Sequence, residues 1–294
     1  MPIEDSKAQT RARESRWAVP VGIASILGVI LLVASRPLGV SGDGQAELLR
    51  EVDAHAGQVL LSDLMQALAY LLLALPLVYL FRAAAARSDR VRPQLIGLMV
   101  AAPLFLAISS GLSIGVTNEG ADDFLAGRAD PSLTPKEARE ECSEEKQDEG
   151  ACVDRKLEDD EATQAIGEAS LTPIATGLGL AGIFGLVVAL VYVGLWAMRT
   201  GLLSRFWGAL GMVAGIAFVL TPLSFVAMVF FFYFGLLVLG LVPRGRPPAW
   251  EAGEAIPWET PGERAAAEME PEGGWDEEDE AGGDAEPATP PDRR

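Results

Sequence analysis

Histidine is almost missing from this chain: His55 is the sole example in 294 residues. That scarcity excludes bis-histidine haem, His-rich metal centres and the H-E-x-x-H class, and it leaves His55 as the one imidazole for any triad. The D-x-[DN]-x-[DN]-G run of an EF-hand is missing too, so no calcium loop is expected. Charge is absent over long stretches. Residues 17–35, 95–117, 171–198 and 206–242 contain no Asp, Glu, Lys or Arg, and residues 59–81 contain only Asp63. A water-soluble fold does not leave such runs uninterrupted, whereas a bilayer core about 30 Å thick requires roughly 20 apolar helical residues per crossing.

What is plentiful is acid, and it is segregated. Residues 118–170 hold 17 Asp and Glu against 6 Lys and Arg, and residues 243–294 hold 15 against 5. The chain carries a net charge of −18, of which these stretches supply −11 and −10, so the apolar remainder is slightly positive at +3. The chain is therefore read as an all-α integral membrane bundle.

Five apolar blocks give six spans. Four are of single-crossing length, at about 17–35, 59–81, 95–117 and 171–198. The fifth, 206–242, has 37 residues, which as one helix would run roughly 55 Å. It must turn back, and Thr221-Pro222-Leu223-Ser224 near its middle supplies the break, because proline removes a backbone donor and biases its predecessor away from helix. Spans at 206–221 and 225–242 follow. The first block is read as a span rather than a secretory leader, since its 19 apolar residues exceed the usual h-region of about 7–15.

Cationic residues orient these spans. Lys7, Arg11, Arg13 and Arg16 precede the first; Arg82, Arg87, Arg90 and Arg92 follow the second; Arg199 and Arg205 follow the fourth; Arg244 and Arg246 follow the sixth. The alternate links are poor in net positive charge, so both termini (1–16 and 243–294) are expected in the cytoplasm of a bacterium and 118–170 outside its plasma membrane. Trp17, Phe81, Trp196, Phe206 and Trp207 then fall at the inner boundary.

Small residues recur where helices must approach closely without a hydrophobic drive to pair. Ser109, Ser113 and Thr117 form one stripe beside Gly111 and Gly115; Gly179, Gly182 and Gly185 form another, as do Gly208, Gly211 and Gly215. Helix packing is the reading adopted for them. Phe230, Phe231, Phe232, Tyr233 and Phe234 run round a whole helix and are read as lipid-facing bulk.

Asp63 is the candidate intramembrane site. A carboxylate at a helix centre costs about 2.5–3.5 kcal/mol on insertion scales, so its presence there is a functional hypothesis by default. Gln66 and Tyr70 follow at i+3 and i+7 and share its face, an arrangement a proton or cation relay would use. Against this, Asp63 lies four residues into its span, roughly 6 Å, where it can reach water. Ahead of it, residues 45–57 place Leu48, Leu49, Val52 and Ala56 opposite Glu47, Arg50, Glu51 and Asp53, predicting an amphipathic helix on the outer surface.

The acidic loop is too charged for a core of its own, yet Thr134-Pro135-Lys136-Glu137 has the pattern of a capping box with proline at the first helical position. A first helix is expected to stop near Gly150, with a second from about Val153 towards Ala165. Cys142 and Cys152, the only cysteines, fall on the oxidising side, where disulfides persist. In one continuous helix they would be about 15 Å apart, so pairing requires a break near Gly150.

The tail is rich in Pro, Gly, Ala and acid and is expected to be disordered. Trp250 and Trp258 are candidate docking residues for a protein partner, or else they fold back on the membrane interface beside the last span; Trp275 adds a third ring. The acids from Asp276 to Glu280 argue against binding nucleic acid.

Two stretches, 46–82 and 198–211, carry a resemblance. In the second, Gly201-Leu202-Leu203-Ser204-Arg205-Phe206-Trp207-Gly208-Ala209-Leu210-Gly211 makes a short basic turn into a glycine-rich helix. With the surface helix leading into span two, it resembles a family of uncharacterised bacterial multi-pass membrane proteins grouped as a domain of unknown function. The resemblance implies a helical membrane bundle and brings no catalytic residues. The reading is thus of a non-enzymatic membrane scaffold or accessory protein, without metal or cofactor, whose partners are the lipid bilayer and a protein contacting the tail. The alternative is a small-solute or proton-coupled carrier using Asp63, Gln66 and Tyr70. An intramembrane hydrolase ranks third, since Ser109, Ser110 and Ser113 lie in a span with no expected base.

Overall fold

The computed structural model describes residues 3–36, 44–142, 149–219, 225–243 and 245–258. Among them the structure is all helical: α1 Ile3–Ser35, α2 Gln45–Ala54, α3 Ala56–Ala85, α4 Ile96–Leu125, α5 Pro135–Cys142, α6 Glu149–Glu168, α7 Thr172–Arg199, α8 Arg205–Ala217, α9 Phe225–Leu239 and α10 Pro248–Ala252. Four of these, α1, α3, α4 and α7, are long and apolar enough to cross a membrane. Pro20, Pro76 and Pro103 lie inside them without ending them, as apolar surroundings leave the helix the only economical way to bond its backbone.

Several expected boundaries move. α1 begins well before Trp17, and α4 runs eight residues past Thr117 into the acidic stretch, so the loop is shorter than 118–170. α8 has 13 residues and α9 has 15, which amount to about 20 and 22 Å of helix, less than a full crossing. The Thr221 turn expected between them, like Arg244, lies outside the described residues.

The six apolar helices pack as a closed ring in chain order, α1 on α3, α3 on α4, α4 on α7, α7 on α8, α8 on α9, and α9 back on α1. Short connections make most of these neighbours; α4 and α7 meet although residues 126–171 lie between them, and nothing local dictates the closing contact. It is made where two glycines cross: a methyl added to Gly22 would stand 3.1 Å from Gly235 O, and one on Gly235 would stand 3.0 Å from Gly22 O. Ser25 Oγ donates to Phe231 O at 2.6 Å across the same seam. This placement overturns the lipid-facing reading of the aromatic run: Phe230, Phe231 and Phe234 are 2%, 2% and 1% exposed, and only Phe232 among the phenylalanines there faces outward. A helix that closes a ring has neighbours on both sides and buries most of its girth.

Packing by the small-residue stripes is observed at α4/α7, where Gly182 approaches Leu106 and Gly185 approaches Ala102, and at α7/α8, where Gly194 faces Gly208. Gly111 is the exception, with nothing within 4 Å of an added methyl. Outside the ring, Ile23, Ile30, Leu64, Leu68, Phe184 and Val188 are large apolar residues left about half exposed. So broad an apolar surface is compatible with a bilayer and not with water.

Each end of the ring has its own cap. At one, α2 does not lie on a membrane surface as expected: Leu49 and Val52 are 0% and 2% exposed, packed with Phe124, Ala162 and Ala165. The acidic stretch thus does have a small core, shared with α2 and the end of α4. Alanines let α6 come close enough for its acids to be spent structurally. Asp159 Oδ1 accepts from Ala46 N at 3.0 Å, serving the open N-terminus of α2, Glu158 pairs with Arg50 at 2.9 Å, and Asp160 accepts from Leu133 N at 2.8 Å.

Candidate functional site

The Asp63 face is split by depth. Asp63 is half-buried where α3 meets α4, with Ser113 Oγ 3.3 Å from its Oδ2; the same hydroxyl donates to Ser110 O at 2.7 Å. A serine has one proton to give, and the shorter contact takes it. Seven residues on, roughly 10 Å along the helix, Tyr70 accepts a hydrogen bond from Gln66 Nε2 at 3.1 Å. Gln66 and Tyr70 line a cavity of about 240 Å³ together with Arg36, Leu106, Phe218 and Met228. Asp63 is not on its wall. The cavity sits between the end of α8 and the start of α9, with Phe218 edge-on to Tyr70 at 6.4 Å.

The other hydroxyls of the stripe also serve backbone: Ser109 Oγ donates to Ala175 O at 2.8 Å and Thr117 Oγ1 to Ser113 O at 2.9 Å. The expectation that no acid or base stands near these serines needs correction, since Asp63 reaches Ser113. Among the described residues no group of three His, Cys, Asp or Glu side chains is placed to hold a metal ion. His55 is exposed beside Glu51, its Nδ1 3.0 Å from a carboxylate oxygen.

Sequence reasoning missed the most enclosed polar assembly, at the opposite end of the ring. Glu14 of α1 and Arg87, just past α3, form a two-pronged ion pair, Nη1 to Oε1 at 2.5 Å and Nη2 to Oε2 at 2.9 Å, with side chains 8% and 0% exposed. Arg87 donates further to Ala83 O at 2.9 Å and to Ala249 O from Nε at 3.2 Å and Nη2 at 2.9 Å. All five of its N–H groups are thereby used, which is what burial of a guanidinium demands. Glu14 is the only acid in residues 6–42, a lone carboxylate in a basic segment beside a span, and that was the available signal.

Around this pair the segment after α9 is fastened down. Trp250 stacks on Tyr79, centroids 5.6 Å apart, lies beneath the Arg87 guanidinium at 5.4 Å, and donates from Nε1 to Leu202 O at 2.9 Å. Trp258 Nε1 donates to Leu203 O at 2.8 Å, Arg205 donates to Trp258 O at 2.9 Å, and Ile256 N donates to Thr200 O at 3.2 Å. Gly201, at φ +75°, lies so close to Ile256 O that an added methyl would overlap it at 1.9 Å. The Gly201-Leu202-Leu203 turn is therefore the receptor for both indoles. Of the two sequence-level alternatives, the structure has the rings folded back on the bundle: Trp250 is 7% exposed and not offered to a partner. Residues 245–258 consequently form part of the fold rather than a disordered tail, because two indoles with donors satisfied recover more than the chain entropy lost in ordering them. Trp275 and Asp276 to Glu280 lie outside the described residues.

In the acidic stretch Cys142 and Cys152 are joined, Cα atoms 6.0 Å apart. α5 ends at Cys142 and α6 begins at Glu149, so the two cysteines lie on different helices; Gly150 lies inside α6 and is not the stop. The capping box is formed as expected: Glu137 Oε2 accepts from the Thr134 hydroxyl at 2.7 Å and from Thr134 N at 2.9 Å. These two hydrogen bonds hold the Glu137 carboxyl below its ordinary value of 4.5.

No protein-family model matches the chain, and comparison with curated proteins and with solved structures gives no match.

Proposed function

We propose that the protein is a non-enzymatic scaffold or accessory protein of a bacterial plasma membrane, with six crossings, both termini in the cytoplasm, and a protein partner contacting the acidic sequence 259–294. The observation that supports this reading best is the fastening of residues 245–258 by Arg87, Tyr79 and the Leu202 and Leu203 carbonyls. The short α8 and α9 do not upset the orientation, since two crossings or none between them leave Arg205 and Arg246 on the same side. The likeness to the family of uncharacterised multi-pass proteins belongs to this proposal as well, and it agrees with a bundle without catalytic residues.

Two experiments test it. Chemical cross-linking in cells should capture a cytoplasmic protein on the full chain and lose it on a chain ending at Trp258; the same capture from both, or none from either, would count against the reading. An impermeant thiol reagent applied after reduction should label Cys142 and Cys152 on intact cells, and failure to label them would overturn the orientation.

The cavity beside Gln66 and Tyr70 favours a second reading, a proton-coupled or small-solute carrier with Asp63 at its outer end. It predicts proton leak in liposomes, read by an internal pH dye, that Asp63→Asn abolishes. The amide can still meet Ser113, so folding should survive, and leak unchanged by this substitution would remove Asp63 from any transport path.

A further inference from the structure

A groove between α1 and α3 has a graded polarity that neither reading uses. Val21, Leu75 and Val78 line its apolar end, Trp17 the level next to them, and Arg13 and Arg82 its charged end, around a cavity of about 200 Å³. The levels follow from helix geometry: Arg13, Trp17 and Val21 recur every fourth residue on α1, and Arg82, Val78 and Leu75 descend alongside on antiparallel α3. Arg13 is thus about 12 Å along α1 from Val21, and Arg82 about 6 and 10 Å along α3 from Val78 and Leu75, distances that span the step from headgroup to acyl chain.

Charge makes the groove selective. Both arginines are exposed, and neither side chain has an ion pair or hydrogen bond among the described residues. Glu14 also lines the groove, but its carboxylate is committed to Arg87. A free soluble anion would gain nothing from the apolar end, and an apolar peptide nothing from two guanidinium groups. A phosphodiester with fatty chains satisfies both, since guanidinium pairs readily with phosphate oxygens and basic pockets between helices at this level suit acidic headgroups.

We propose that this groove holds one acidic phospholipid, its phosphate at Arg13 and Arg82 and one acyl chain along Val21, Leu75 and Val78. The lipid would staple α1 to α3 beside the Glu14–Arg87 pair.

The test is native mass spectrometry of the full chain in detergent with phosphatidylglycerol or phosphatidylcholine added. One phosphatidylglycerol should stay bound at collision energies that strip phosphatidylcholine. R13Q/R82Q should lower its retention roughly ten-fold or more, while R90Q/R92Q, which removes equal charge from the same end outside the groove, should leave it unchanged. V78W, which fills the groove and keeps both arginines, should also lower retention and serves if the first variant fails to fold. Equal retention of the two lipids, equal loss from both arginine pairs, or full retention by V78W would each overturn the proposal.

Discussion

Glu14 and Arg87 stand 73 positions apart in sequence and meet through two hydrogen bonds in a site where the guanidinium is wholly excluded from solvent. The pair joins the first helix to the end of the third, and through Ala249 O it also holds the segment after the last. Three remote parts of the chain therefore depend on one buried cation.

Removing either partner alone leaves the other charged and buried, at a cost of about 3–5 kcal/mol. Glu14→Gln and Arg87→Met should each lower the thermal midpoint in detergent and expose residues 245–258 to protease. The double variant Glu14→Gln/Arg87→Met should lose less than the two singles combined. Strict additivity would show that the pair is not coupled.

Close helix crossings make a sharper prediction about glycine. At Gly182 an added methyl meets Leu106 Cγ at 2.8 Å and Leu106 N at 3.0 Å, whereas at Gly111 it meets nothing within 4 Å. Gly182→Ala should destabilise the α4/α7 seam by about 1–3 kcal/mol. Gly111→Ala should be neutral or stabilising by up to about 1 kcal/mol. Denaturant titration in mixed micelles separates the two, and similar losses at both sites would count against the seam.

The bond between Cys142 and Cys152 closes a small loop across a sequence separation of 10, and loops of that size contribute about 3 kcal/mol through the unfolded chain. Reduction should raise amide exchange through α5 and the start of α6 and leave the four long helices protected. Exchange rising uniformly along the chain would indicate instead that the loop is integral to bundle stability.

Acid should loosen α5 before it affects the ring. Glu137 has a folded-state value below the 4.5 of an ordinary glutamate, held there by the Thr134 hydroxyl and then the Thr134 amide. A depressed carboxyl stabilises at pH above its unfolded value, and that stabilisation disappears as pH falls through the lowered folded value. An NMR titration of the Glu137 side chain should give this low midpoint, and Thr134→Val should return it toward the ordinary one. An unchanged midpoint in Thr134→Val would exclude the Thr134 hydroxyl as the main cause.

How far the molecule was legible varied with the range of the interaction. Asp63 and Tyr70 share a face of α3, because seven residues bring a helix almost back to its starting azimuth; that Tyr70 lines a cavity and Asp63 does not depends on where α8 ends. Thr134 and Glu137 were legible for the same local reason. Glu14 was passed over because its significance lies in Arg87, and Trp250 was assigned to a disordered arm because its receptors, Tyr79 and Leu202, belong to other helices.

Hydropathy and the order of charges were enough to specify an all-helical bundle with long apolar helices, since a backbone away from water must bond to itself wherever the run is long enough. They were also enough to bring the two cysteines within plausible reach. Closure of the ring through Gly22 and Gly235, burial of Phe230, Phe231 and Phe234, and the fastening of residues 245–258 were decided only in three dimensions. Each depends on which surfaces meet between remote parts of the chain, from 48 residues apart for Trp250 and Leu202 to 206 for Ser25 and Phe231, and composition averaged over a window retains no memory of that meeting.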